Sequence, residues 1–148
     1  MTDIFTAAEL RRIVQARYMF CDPWALESTY ARILHRSLST ATRYAHRQMR
    51  KAGVTHWQDY ADCDDWAIET WTALKKMHAR QRSRGKGPAA QSPAAGIMGY
   101  VPSLTGTPHM VVVAVTDRGL VAWEPQPPAP HTITISGEEW RSFVRQVW

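Results

Sequence analysis

The stretch His109-Met-Val-Val-Val-Ala-Val-Thr-Asp-Arg-Gly-Leu-Val-Ala-Trp-Glu124 decides the fold. From His109 to Val115 it is an almost unbroken β-branched and apolar run, the strongest strand signal in the chain. Asp117-Arg118-Gly119 reads as a turn and Leu120 to Glu124 as the return strand, so the stretch predicts a β-hairpin. Ile97 to Val101 is a shorter strand candidate upstream. Downstream, Pro125 to Pro130 leaves the sheet, and His131 to Ile135 alternates with period two as a further strand. The sheet expected over residues 97–135 is antiparallel. Ser136 or Gly137, with Glu138 and Glu139, opens an expected last helix over 136–148 that carries Trp140, Phe143, Val144 and Val147.

Before the hairpin the periodicity is helical. Thr6 with Glu9 three residues later forms a capping-box pattern, and Leu10, Ile13 and Val14 continue a helix toward Asp22-Pro23. A second helix is expected from about Leu26 or Ser28 through Met49, with Tyr30, Ile33, Leu34, Leu38, Ala41, Ala45 and Met49 on its apolar stripe and Gly53 as stop signal. His35, His46 and His56 lack metal-site spacing and read as surface or hydrogen-bonded histidines. A third helix, over 60–80, buries Trp66, Ala67, Thr70, Trp71, Leu74 and Met77 at alternating steps of three and four. Residues 82–96 hold Gly, Pro, Ala, Ser, Gln and Lys without a large apolar side chain, the composition of a flexible loop. Helices first and strands afterwards define an α+β fold: one domain over 1–148, with an N-terminal helical part (1–56) and a central helix starting at Cys63, packed on a C-terminal antiparallel sheet.

A chain of 148 residues with 45% hydrophobic residues and seven Trp can bury a core without disulfides. It lacks a membrane-length apolar run, and its start, Met1-Thr-Asp-Ile-Phe-Thr6, lacks a basic region followed by an apolar one. The expected setting is therefore the cytoplasm, with no membrane partner and with Cys21 and Cys63 as free thiols. The net charge of +5 includes a basic run from Lys75 to Lys86. No aromatic side chains interleave it to stack on bases, so a solvated helix end is expected there rather than a nucleic-acid site.

The chemistry gathers at Tyr60-Ala-Asp-Cys-Asp-Asp-Trp-Ala67. Cys63 falls in the first turn of a helix, where the dipole and unpaired N–H groups favour a thiolate, while Asp62, Asp64 and Asp65 oppose it by like charge. His109 opens one strand of the hairpin and Glu124 closes the other, so both lie near the same edge of the sheet. A thiol, an imidazole and a carboxylate in this order predict a nucleophile, its general base and a residue that orients the base. Gln58 or Trp57 are candidates for the oxyanion side of a substrate cleft, with Trp66 flanking it. The three aspartates also offer the hard oxygen ligands that Ca²⁺ prefers.

These landmarks resemble the papain-like and transglutaminase-like cysteine peptidases. Asp62-Cys63-Asp64-Asp65-Trp66-Ala67 is similar to an Asp-Cys-Asp/Glu-Asp-Phe/Tyr-Ala signature of bacterial and phage members, and His109 before its Val-rich strand and Glu124-Pro125-Gln126 match the other two landmarks. Similar domains include the calcium-activated papain-like domain at the C-terminus of a fungal agglutinin and small phage-borne relatives. The resemblance spans about Tyr60 to Gln126. It implies a papain-like fold and a thiol hydrolase that cuts a peptide or isopeptide bond of a peptide or protein substrate, with Cys63, His109 and Glu124 as its triad and calcium as a candidate ion. The alternative is a non-catalytic binding or virion-associated module on the same fold. Each residue also has a plainer role: Cys63 as a small core residue, Glu124-Pro125 as a strand stop, and the aspartates as helix caps. A thiol-selective electrophile should label Cys63 much faster than Cys21 at neutral pH; equal rates would remove any special status from Cys63.

Overall fold

Val111 to Thr116 are buried in an unbroken row, which explains why this strand reads as a continuous apolar run rather than an alternating one. Both of its faces are covered. The computed structural model describes residues 4–17, 27–54, 62–136, 139 and 145–147. In chain order the elements are β1 (Ile4–Thr6), α1 (Ala7–Arg17), β2 (Thr29–Ala31), α2 (His35–Lys51), α3 (Cys63–Ser83), β3 (Ser92–Pro93), β4 (Ala95–Tyr100), β5 (His109–Thr116), β6 (Gly119–Glu124), β7 (His131–Ile133) and β8 (Arg145–Val147).

The main sheet has five strands in the order β7-β6-β5-β4-β8, and every pairing in it is antiparallel. The expected hairpin is its centre, with Val112 opposite Trp123 and Thr116 opposite Gly119. Gly119 closes the turn at φ 94°, a conformation that side-chain-bearing residues rarely adopt. One face of this sheet packs Met98, Val111, Val113, Val115 and Ala122 against Leu10 and Val14 of α1. The other packs Val112, Ala114 and Trp123 against Leu38 and Ala41 of α2 and Ala67, Ala73 and Leu74 of α3. On that side Trp123 Nε1–H donates to Thr42 Oγ1 at 3.0 Å, and the Thr42 hydroxyl donates to the Leu38 carbonyl at 2.9 Å. A buried indole N–H thus finds a partner on the neighbouring helix. The α+β class with an antiparallel sheet is therefore the architecture of the protein. No helix among the described residues is long and apolar enough to cross a membrane.

The capping box at Thr6 and Glu9 forms as its spacing predicts. Glu9 Oε2 accepts from the Thr6 N–H at 2.7 Å, and Thr6 Oγ1 accepts from the Glu9 N–H at 3.2 Å. Three other expectations need correction. The second helix does not start at Leu26 or Ser28: Thr29–Ala31 is a strand, and the helix begins at His35. Tyr30 and its neighbours pair with β1 on one side and, in parallel, with β3 on the other, forming a small second sheet. Partners distant in sequence therefore override the local helical stripe. The loop expected over 82–96 is shorter, with largely exposed turns over 84–89 between a helix end and packed chain. α3 continues to Ser83, and Ala90, Ser92, Ala94 and Ala95 are buried. Small side chains let the backbone come close here: Trp71 Nε1–H donates to the Ala95 carbonyl at 2.8 Å, and the Ala94 N–H to the Ala31 carbonyl at 2.6 Å. Finally, Arg145–Val147 pairs with Gly99 to Ile97 as an edge strand instead of ending a helix. The Trp140, Phe143 and Val144 positions lie outside the described residues.

The start of α2 depends on the hairpin turn. Leu34 at the N-cap has no side-chain acceptor to offer, and the first helical N–H, that of His35, donates instead to Asp117 Oδ1 at 2.5 Å. The Asp117 N–H in turn donates to the Ile33 carbonyl at 3.1 Å. Asp117→Ala should lower unfolding free energy by about 1 kcal/mol, the typical cost of a lost helix cap. Urea titration followed by circular dichroism measures it, and an unchanged midpoint would remove this role from Asp117.

Candidate functional site

Cys63 is the first residue of α3, His109 the first of β5 and Glu124 the last of β6. The register shows how the strand pair works. Because Val112 faces Trp123, the position opposite Glu124 is that of Val111, and His109 lies two residues further along the same face. This diagonal relation brings His109 Nε2 and Glu124 Oε2 into a short hydrogen bond. The other carboxylate oxygen, Glu124 Oε1, accepts from the Gln126 N–H at 2.9 Å, so both oxygens of Glu124 are engaged.

The imidazole, with Nε2 turned to Glu124, also hydrogen-bonds the Cys63 side chain. Cys63 is a free thiol, half-buried. These contacts raise the pKa of His109 to about 9: the hydrogen bond with Cys63 contributes most, that with Glu124 next, and burial opposes both. At neutral pH His109 is therefore an imidazolium. Tyr100, directly opposite His109 in the β4–β5 ladder, sets its ring edge-on to the imidazole with centroids 5.8 Å apart. Burial, with the nearby charge of Glu124, pushes the Tyr100 hydroxyl up to about 12, so it stays a neutral phenol.

Chemically, the arrangement is a thiol polarised by a cationic imidazole that a carboxylate holds in place. Such a group can add to an electrophilic carbon or hold a ligand by charge and hydrogen bonds. The structure thus brings Cys63, His109 and Glu124 together. Trp66, expected along the cleft, is a core residue with 3% of its surface exposed, and its ring meets the edge of His46 at 4.8 Å. Its place on the apolar stripe of α3 accounts for this. Trp57 and Gln58 lie outside the described residues.

Asp62, Asp64 and Asp65 place carboxylate oxygens within 4.8 Å of one another, the donor type that suits Ca²⁺. Two of the three already act on the helix. Asp62 and Asp65 form a reciprocal capping box in which the Asp62 N–H donates to Asp65 Oδ2 at 3.3 Å.

One residue beside the site, Tyr100, escaped the sequence reading, and a second, His46, was read without its partner. Tyr100 is placed by the β4–β5 register, which the Pro102–Gly106 turn signals only loosely. His46 was read as a surface or hydrogen-bonded histidine, and its partner is the carbonyl of Pro125, 2.7 Å away, immediately after Glu124. Burial lowers its pKa, with the Arg50 charge adding to that effect.

A scan against family models and a search of curated proteins find no match. Among solved structures, the chain is similar to Polyporus squamosus lectin bound to a human-type influenza-binding epitope, Neu5Aca2-6Galb1-4GlcNAc, at 17% identity and a TM-score of 0.68. A second similar structure, described as a PSL1a-E64 complex, gives 17% identity and a TM-score of 0.67. In both cases the match covers 99% of this chain and 50% of the other, so the chain spans about half the length of the proteins it resembles. At this identity the likeness shows a shared fold alone. The assignment to papain-like cysteine peptidases is corrected on this ground. The first of these neighbours is described as a lectin, no comparison carries a hydrolase or thiol-protease activity to this chain, and a peptide substrate has no support from them.

The charge on His109 has a measurable consequence. Its folded pKa of about 9 stands above the ordinary 6.5, so its contribution to stability is fully present below pH 6.5 and is lost as pH rises through about 9. An NMR titration of the His109 ring should give a midpoint near 9, and Cys63→Ala should lower it by removing the largest contribution. A midpoint near 6.5 in both proteins would contradict this geometry.

Proposed function

We propose that this chain is a binding module that holds its ligand at Cys63, His109 and Glu124 without turning it over. What supports the reading is the likeness over nearly the whole chain to a lectin structure that holds a sialylated glycan. A glycan-bearing partner is accordingly the ligand class assigned here. The side chains suit hydrogen-bonded capture: a cationic donor at His109, 20% exposed, sits beside a carboxylate acceptor at Glu124, 14% exposed, with the Tyr100 ring alongside. Binding of this kind needs the charge and position of His109 and does not need the Cys63 sulfur as a nucleophile.

The test is a glycan array that includes sialylated epitopes, followed by equilibrium titration of the best ligand. Saturable binding should survive Cys63→Ser and should weaken roughly tenfold in His109→Ala, about 1.4 kcal/mol for one charge-assisted hydrogen bond. A panel of fluorogenic peptides is run beside it. Turnover that disappears in Cys63→Ala would overturn the binding reading, as would the absence of any glycan bound by the native chain.

A further inference from the structure

The helix α2 carries Arg36, Arg43, Arg47, Arg50 and Lys51 and no acidic residue. Arg43, Arg47 and Arg50 follow one another at steps of four and three, so they share one face of the helix. Together with Thr40 and His46 they line a surface cavity of about 350 Å³. All three arginines are exposed, and none is ion-paired with an acid among the described residues. Arg47 is oriented by its own helix, since its Nε–H donates to the Arg43 carbonyl at 3.3 Å, which leaves the terminal nitrogens of the guanidinium facing outward.

We propose that this cavity is an anion site, separate from the Cys63 site, that takes a pair of closely spaced phosphate or sulfate groups. Three guanidinium forks on one concave face present planar, paired donors that match tetrahedral oxyanions. A single carboxylate would leave most of them unmatched. Of the cations in the basic run from Lys75 to Lys86, only Lys86 lines a second cavity, of about 250 Å³, whose lining otherwise includes apolar side chains such as Ile33, Leu74 and Met77, and Lys75 is turned onto the Trp71 ring at 4.7 Å.

His46 joins this cavity to the Cys63 site. It forms part of the cavity wall, donates to the Pro125 carbonyl through Nε2, and rests against Trp66. Pro125 directly follows Glu124. The charged groups near His46 all belong to its own helix: Arg50, which acts on it directly, and Arg43 and Arg47, which line the same cavity. An anion bound among them would offset the cationic field that now opposes protonation of His46, and its titration midpoint would rise.

The experiment is an NMR titration of the full chain with inorganic pyrophosphate and, separately, with a heparin-derived sulfated disaccharide. Saturable shifts of the Arg43, Arg47 and Arg50 side-chain signals are expected, with an upward move of the His46 midpoint. An Arg43→Gln/Arg47→Gln double variant should bind on the order of tenfold more weakly or worse, while Lys76→Gln/Arg80→Gln, which removes the same charge elsewhere, should bind as the native chain does. Saturation by both probes assigns the site to clustered charge, and saturation by pyrophosphate alone assigns it to phosphate. Shifts that never saturate, or equal loss in both double variants, would show attraction to the net positive charge alone and overturn the proposal. Because Cys63 and His109 are untouched, this result is independent of what the Cys63 site binds.

Discussion

Strand β5 is buried on both faces, and most of the structure is arranged to keep it so. Val111, Val113 and Val115 need α1 and the small β1-β2-β3 sheet on one side, and Val112 and Ala114 need α2 and α3 on the other. Burying an aliphatic side chain contributes about 1.5–3 kcal/mol, so a strand of this kind outweighs any single hydrogen bond or cap in the molecule. Its edges are also covered, by β4 and β6, which removes unpaired backbone groups from the centre of the sheet. The smaller sheet is tied to the same strand: the Ile33 N–H donates to the Val115 carbonyl and the Val115 N–H to the Ala94 carbonyl. The turn after β5 then supplies Asp117 to the first N–H of α2.

The candidate site uses the ends of this scaffold. A residue in the middle of β5 is enclosed by two layers, whereas His109, at its first position, is partly exposed and free to meet partners from a helix and a neighbouring strand. Glu124 hydrogen-bonds the imidazole at Nε2 and Cys63 hydrogen-bonds the same ring, and both contacts favour the charged form more than burial disfavours it. Two further histidines show how differently the same side chain can be used. His46 is kept toward its neutral form by burial and by Arg50, and the buried His78 is satisfied by the Ala90 carbonyl at 2.9 Å. Charge on a histidine in this protein is set by neighbours rather than by residue type.

Short-range rules carried the sequence reading a long way. The Thr6–Glu9 box, the Asp62–Asp65 cap, the period of α3 and the β5–β6 hairpin all depend on contacts between residues close in the chain, and each was legible. So was the meeting of His109 with Glu124, because a hairpin converts sequence distance into register. The peptidase assignment rested on the order of three short motifs. Order places groups together, but whether they turn over a substrate is not a property of spacing, and a fold likeness at 17% identity carries no activity to this chain.

The sequence by itself therefore determined which segments could be helix or strand, the antiparallel centre of the sheet and the meeting of His109 with Glu124. Local hydrogen bonds and hydrophobic period decide those. Tertiary structure alone decided that Thr29–Ala31 is a strand, that 90–95 is packed chain, that Arg145–Val147 is an edge strand and that Asp117 caps a helix more than eighty residues away. In each of these the deciding partner is distant in sequence, and the free energy of pairing or burial exceeds the weak preference of the local residues.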